Sequence, residues 1–300
     1  YLSEKNFLNA LIVLSSIGGS TNGLVHLTAM AGRLGITIDL IKFDEITKNL
    51  PMIVDLKPSG TGYMEDLYKA GGSQRIFYEL KDFLYLDAKS VNGTTLGEEI
   101  KNSAKWTQDI ITDKSNPVFN AGSIAVLKGT LAPNSAIIKQ SAATQSLLIH
   151  EGRAVVFEGL EDLANRIDRD DLDVTKDDVL VLKSIGPKGG PGMPEAGLIP
   201  IPKKLAKQGV KDMVRISDGR MSGTASGTII LHVTPESYEN GPLAIVENGD
   251  LIKLDVPKRK IDLIISEEEI AERLLKRKEL SIRRRGYNKI YMEHVTQADK

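Results

Sequence analysis

The chain has 300 residues, 41% hydrophobic and 26% charged, which suits one large or two medium globular domains with a sizeable core. Its 39 basic and 40 acidic side chains nearly cancel, so no net field recruits nucleic acid or an anionic membrane. There is no cysteine, which excludes disulfides, thiolate zinc sites and an iron–sulfur cluster ligated by this chain alone.

Up to about residue 116 the pattern is α/β. "NFLNALIVLSSIGG" and "NGLVHLTAMAGRLG" repeat apolar residues at three and four spacing, which predicts two amphipathic helices, the second stopped by Gly35. "ITIDL" follows as a candidate strand, "FDEITKNLP" as a helix that Pro51 ends, and "MIVDL" as a buried strand before the "KPSGTG" loop. After residue 120 nine short apolar runs bounded by turn residues read as strands: "SIAVLKG", "SAIIKQSA", "RAVVFEG", "DVLVLKSIG", "DMVRIS", "TIILHV", "LAIVENG", "LIKLDV" and "IDLIIS". That density favours a closed or nearly closed sheet, because closure removes exposed edges. "LEDLANRID" and "IPKKLAKQG" are short inserted helices, and "EEEIAERLLKRKEL" is a helix whose charges suit its dipole. The expected division is 1–116 for the α/β part, 117–282 for a β-barrel and 283–300 for a C-terminal tail. No apolar run approaches the roughly 20 residues of a spanning helix, and the N-terminus lacks a basic start before an apolar core, so a cytoplasmic location is expected.

Three glycine-rich loops stand out. "DGRMSGTASG", residues 218 to 227, lies between two strand-like runs. It reads either as a long hairpin loop or as a row of small residues whose backbone N–H groups face an anion or substrate. "GPKGGPGMPEAG", residues 186 to 197, holds Glu195 on a stiff loop; such a carboxylate is either simply solvated or a ligand for a hard cation such as magnesium. "GGSTNG", residues 18 to 23, ends one helix and starts the next, with Thr21 or Asn22 as the expected N-cap. It is either a helix–helix turn or an anion site at a helix N-terminus, which makes Thr21 and Asn22 candidate substrate contacts.

Other chemistries lack their motifs. His26, His150, His232 and His294 are scattered without ligand spacing. No G-x-S-x-G elbow and no Walker-type P-loop occurs, and "GTASG" and "GGPG" lack dinucleotide-binding spacing.

Taken in order, "IGGSTNGLVHLTAMAGRLGI", "GTLAPNSAIIK", "GPKGGPGMPE" and "DGRMSGTASGTIILHVTPE" resemble the dihydroxy-acid dehydratase and sugar-acid dehydratase family over nearly the whole chain. The resemblance implies an α/β cluster-binding domain followed by a swivelling-type β-barrel domain, of which this chain is the C-terminal portion. It implies dehydration of a 2,3-dihydroxy acid to a 2-keto acid with an iron–sulfur cluster, of the 2Fe-2S type, and a magnesium ion. By resemblance Glu195 matches the magnesium-binding glutamate and Ser222 the serine proposed as base. Gly223 and Thr224 would contact substrate or orient that serine. Magnesium would stabilise the charge that develops when the C2 proton leaves, and an open iron would accept the C3 hydroxyl.

The family's cluster cysteines come from an N-terminal part. A chain that starts on Tyr1 without cysteine is therefore expected to be inactive alone. The stretch "RMSGTASGTIILHVTPE" and the ending "YMEHVTQADK" look more like the sugar-acid branch, acting on gluconate, arabinonate or xylonate, than the branched-chain amino-acid branch; Thr224 stands where the latter often has glycine. The alternatives are dihydroxy-acid dehydratase proper and, in another class, a non-catalytic binding or assembly fragment. Family members assemble as homodimers or homotetramers, and the partner implied is a small dihydroxy acid, not nucleic acid or membrane.

Overall fold

The computed structural model describes residues 2–101, 103, 108–277 and 285–300. One compact unit reaches to Ala125 and a second runs from Val126 to Asp299. The division falls at Ala125 rather than at 116 because the intervening stretch is tied to the first unit: the Met52 N–H donates to the Phe119 carbonyl at 2.9 Å, and the Ser123 hydroxyl to the Ser15 carbonyl at 2.6 Å.

The first unit carries α1 (Glu4–Ser16), α2 (Thr21–Arg33), α3 (Leu40–Thr47), α4 (Met64–Lys69), α5 (Gly72–Glu79) and α6 (Leu96–Ile100). Ile12, Ile53, Val54, Leu67, Ile76 and Leu80 form part of its buried core. Helix α2 ends as expected: Gly35 has φ +72°, and the Ile36 N–H donates back to the Ala31 carbonyl at 3.0 Å, closing the helix through a left-handed glycine. The N-cap of α2 is Ser20, whose side chain accepts from the Asn22 N–H, so Thr21 is the first helical residue and not the cap. "ITIDL" is not a strand, because the Asp39 carboxylate accepts from the Ile41 and Lys42 N–H groups at 2.8 and 3.2 Å and starts α3. In "MIVDL" Met52, Ile53 and Val54 are buried, and among the described residues the run pairs through isolated bridges, Met52 with Phe119, Val54 with Ile111 and Leu56 with Gly62.

Among the described residues, the second unit builds one eight-stranded sheet in the order β1-β2-β6-β5-β4-β3-β7-β8. The strands are β1 (Ala125–Leu127), β2 (Ser135–Ile138), β3 (Ile149–Phe157), β4 (Val179–Leu182), β5 (Arg215–Ser217), β6 (Ile229–Thr234), β7 (Leu251–Asp255) and β8 (Lys260–Leu263). Helices α7 (Leu160–Arg166), α8 (Lys203–Ala206), α9 (Glu267–Lys276) and α10 (Gly286–His294) accompany them. The sheet nearly closes on itself: the Lys128 N–H donates to the Arg259 carbonyl at 2.9 Å, and the Ile261 N–H to the Lys128 carbonyl at 3.2 Å, joining the end of β1 to the start of β8.

Two expectations are corrected here. The run "LAIVENG" is a 3-10 turn over Pro242–Ile245; Pro242 has no N–H for a ladder, and burial of Leu243 and Ile245 accounts for the apolar character. The 218–227 loop is not a hairpin, because β5 and β6 run parallel, as do β3 with β4 and β4 with β5. Three consecutive connections therefore leave the carboxyl ends of neighbouring parallel strands. Both β4 and β6 are buried at every residue, which explains the unbroken apolar run of β4 and the mostly apolar one of β6. Val155, Phe157, Leu163, Leu180, Leu182 and Leu205 form a core that packs α7 and α8 onto the strands.

Candidate active site

The parallel strands β3 to β6 present their carboxyl ends at one edge, the side of an α/β sheet at which ligands bind. Here the segments leaving β4, β5 and β6 at that edge contain Glu195, Ser222 to Thr224, and Glu236. Asp218, the first residue after β5, is 0% exposed. Its Oδ1 accepts from the Ile185 N–H at 3.0 Å, and its Oδ2 from the Ser184 and Ser237 N–H groups at 3.2 and 2.8 Å. One carboxylate thus ties the three connections together at their roots. Glu236, equally buried, accepts from the Lys188 N–H at 3.0 Å, the Gly189 N–H at 2.9 Å and the Gln297 side-chain amide at 2.6 Å. Burial pushes both carboxyls above the usual range, against the pull of these hydrogen bonds, and for Glu236 the neighbouring Asp218 charge adds to the rise.

Farther out, the loops after β4 and β5 are joined directly. The Gly197 N–H donates to the Arg220 carbonyl at 2.7 Å, and the Arg220 guanidinium to the Met193 carbonyl. Glu195 lies between Met193 and Gly197 and is exposed; Ser222 follows two residues after Arg220 and is half-buried with Gly223. The Ser222 hydroxyl is 3.1 Å from the Thr224 hydroxyl, and the Ala225 N–H donates to the Ser222 carbonyl at 3.1 Å. The structure therefore brings Ser222, Gly223 and Thr224 onto one turn, with the Glu195 loop clipped beside it. Thr21 and Asn22 stand in the first unit, at the N-terminus of α2.

The far end of the 218–227 loop is anchored by Asp212. Its carboxylate accepts from the Thr228 N–H at 2.9 Å, the Thr228 hydroxyl at 2.8 Å, the Thr144 hydroxyl at 2.7 Å and the Arg215 guanidinium at 2.7 Å. Burial alone would raise this carboxyl; the Thr144 and Thr228 hydrogen bonds and the Arg215 charge bring it below the usual range. Gly227 adopts φ +124°, and a Cβ there would lie 2.0 Å from Arg215 Nη2, so this corner accepts only glycine.

Sequence reasoning missed Asp218, Glu236 and Lys139. The first two read as ordinary turn residues beside glycine and proline, and only their burial marks them. Lys139 follows β2, is 3% exposed, and its Nζ lies 3.5 Å from the Gly223 carbonyl oxygen. Burial pulls its pKa from 10.5 down to about 8. In the unfolded chain the amine keeps its ordinary pKa, so between pH 8 and 10.5 the unfolded state binds more protons and stability rises with pH; below about 8 the full penalty of burying the charge applies. Lys139→Met is accordingly expected to be more stable than the wild type by about 3 kcal/mol below pH 8, an advantage that vanishes above pH 10.5. Urea unfolding of both proteins across this range checks it, and a constant difference at all pH values would contradict the assignment.

Among the described residues no group of three or more His, Asp or Glu side chains is placed to hold a metal ion. Without cysteine the residues of this chain do not fit an iron–sulfur cluster. For a magnesium ion they fit as a single contributor, Glu195, since such an ion takes one or two carboxylates and completes its shell with water and substrate oxygens.

Comparison with known proteins shows which family the sequence resembles. Residues 109–300 match the family model described as Dihydroxy-acid/6-phosphogluconate dehydratase C-terminal, and residues 1–99 the model described as Dihydroxy-acid/6-phosphogluconate dehydratase N-terminal. A C-terminal portion alone, as expected from the motifs, therefore understates the chain, since sequence of both models is present. The chain is 44% identical over 301 residues to L-arabinonate dehydratase of Rhizobium leguminosarum, covering 99% of this chain and 52% of that protein. It is 39% identical over 304 residues to 6-deoxy-6-sulfo-D-gluconate dehydratase of Pseudomonas putida, covering 100% and 52%. It is 38% identical over 304 residues to dihydroxy-acid dehydratase of Methanococcoides burtonii, covering 100% and 54%. The chain spans about half the length of these curated relatives.

Proposed function

We propose, for a chain that belongs to the dihydroxy-acid/6-phosphogluconate dehydratase family, that it forms the part of a hydro-lyase that removes the C2 proton of a 2,3-dihydroxy sugar acid. The observation that carries the reading is the turn at Ser222 to Thr224, held at the carboxyl edge of the parallel strands and clipped to the loop of Glu195. The Ser222 Oγ alkoxide takes the proton from C2, the C2–C3 double bond forms as the C3 hydroxyl departs, that proton passes to the departing hydroxyl to release water and restore the alkoxide, and the resulting enol tautomerises to a 2-keto-3-deoxy acid. Thr224, 3.1 Å away, orients the serine oxygen. A serine is a weak base until it is deprotonated, so positive charge nearby is required to favour its alkoxide. A magnesium ion held in part by Glu195 would offset the negative charge that builds on the substrate carboxylate and 2-oxygen. Cluster ligands and the remaining magnesium ligands belong, in this reading, to a part of the whole protein outside these 300 residues.

The sugar-acid branch is favoured because the relative named for arabinonate, at 44% identity, is more similar than several relatives named for dihydroxy acids, at 38 to 41%. A dimer or tetramer in the cytoplasm completes the proposal; no described helix is long and apolar enough to cross a membrane. The test assays the full-length protein, prepared anaerobically, for keto-acid formation from L-arabinonate, D-gluconate and 2,3-dihydroxy-isovalerate, beside the 300-residue portion alone. Turnover of a sugar acid by the full-length protein only is the expected result. Preference for dihydroxy-isovalerate would move the chain to the amino-acid branch, and turnover of none would leave a binding or assembly role.

A further inference from the structure

A buried ammonium is costly unless an anion faces it. Lys139 is 3% exposed, and burial disfavours its charged form. The charged pair in the neighbouring segments, Asp212 and Arg215, is satisfied within itself at 2.7 Å and by Thr144 and Thr228. Lys139 Nζ faces the Gly223 carbonyl oxygen at 3.5 Å, longer than an ordinary hydrogen bond but well within charge–dipole attraction. Gly223 directly follows Ser222. The surroundings hold this cation close: the Gly227 N–H donates to the Ala142 carbonyl at 2.9 Å and the Thr144 N–H to the Thr228 hydroxyl at 3.2 Å, so the segment after Lys139 is fastened to the loop it faces.

The geometry points to Lys139 as a positioning residue for Ser222: its ammonium draws in the Gly223 carbonyl and supplies the positive charge that the Ser222 alkoxide requires. This role rests on the proposed function, and it matches a buried cation to the group of the reaction that needs one. At neutral pH the amine is still mainly protonated, since its pKa of about 8 lies above 7. The charge is therefore present where the serine must lose its proton.

The test compares Lys139→Met and Lys139→Arg in the full-length protein. Lys139→Met is expected to lower kcat for dehydration by about 10²-fold, the size typical of losing one electrostatic donor, with KM little changed and the melting temperature no lower. Lys139→Arg, which keeps the charge, recovers most of the rate. Wild-type kcat in Lys139→Met would overturn the assignment, and so would equal losses in both variants accompanied by lower melting temperatures, the signature of a packing role. A second readout needs no activity: native-state trypsin cleavage after Arg220, followed by mass spectrometry. Faster cleavage in Lys139→Met supports the hold on the loop, and equal cleavage removes it. If the wild type turns over no acid, the proposed function falls, and this cleavage still decides whether Lys139 restrains the loop.

Discussion

Ser222→Ala in the full-length protein is expected to lower kcat for dehydration by about 10³-fold, the range for loss of a group that moves a proton in the rate-limiting step. The half-buried Ser222 side chain sits on a turn held by backbone and by its neighbours: the Ala225 N–H bonds to the Ser222 carbonyl, and Arg220 to Met193. Neither bond involves the serine hydroxyl, so melting temperature and KM stay close to the wild type. The substitution removes the hydrogen bond between the Ser222 and Thr224 hydroxyls, 3.1 Å apart on the surface, where water replaces it at little cost. Steady-state kinetics with deuterium at C2 make the measurement specific: wild type shows the isotope effect of proton removal, and the variant loses turnover rather than affinity. Retention of about a tenth of the rate or more would show that another group takes the proton.

Asp218→Ala should damage the fold of the site rather than its chemistry. Three buried N–H groups, those of Ser184, Ile185 and Ser237, lose their acceptor together, and an unsatisfied buried donor costs about 1–3 kcal/mol. Partial relaxation makes a loss of about 4 kcal/mol reasonable, or roughly a 10 °C fall in melting temperature. Asp218→Asn keeps one acceptor oxygen and should lose about half as much. Scanning calorimetry of the three proteins tests this, and a shift in Asp218→Ala of under roughly 3 °C would mean that the three roots do not depend on the carboxylate.

Much of the second unit was legible because each buried strand is a short apolar run between turn residues. Seven connections bounded by glycine, proline or aspartate separate the strands from "SIAVLKG" to "IDLIIS" cleanly enough to read. Direction was not legible. A run such as "TIILHV" carries no mark of which strand lies beside it, so the parallel partnership of β5 and β6 emerged only from the register of Arg215 with Ile229. Apolarity alone also makes "LAIVENG", from Leu243, read as a strand, whereas its first residues belong to the turn that Pro242 opens. In the site, Ser222 and Glu195 were visible as motif residues. Asp218, Glu236 and Lys139 were not, because their roles come from burial against backbone far away in the chain, 34, 48 and 84 positions for the bonds to Ser184, Lys188 and Gly223.

The loop between β5 and β6 spans the length of the sheet with both of its ends pinned, Asp218 at one and the Asp212–Gly227 corner at the other. Its exposed middle, Thr224 and Ser226, contributes little to either anchorage. Such a segment behaves as an exchangeable cassette. Ser226 there can be exchanged while the scaffold stays unchanged, whereas Thr224 is tied to the Ser222 hydroxyl, and the number of residues between the pins is fixed, since one added or removed would drag Ser222 out of place.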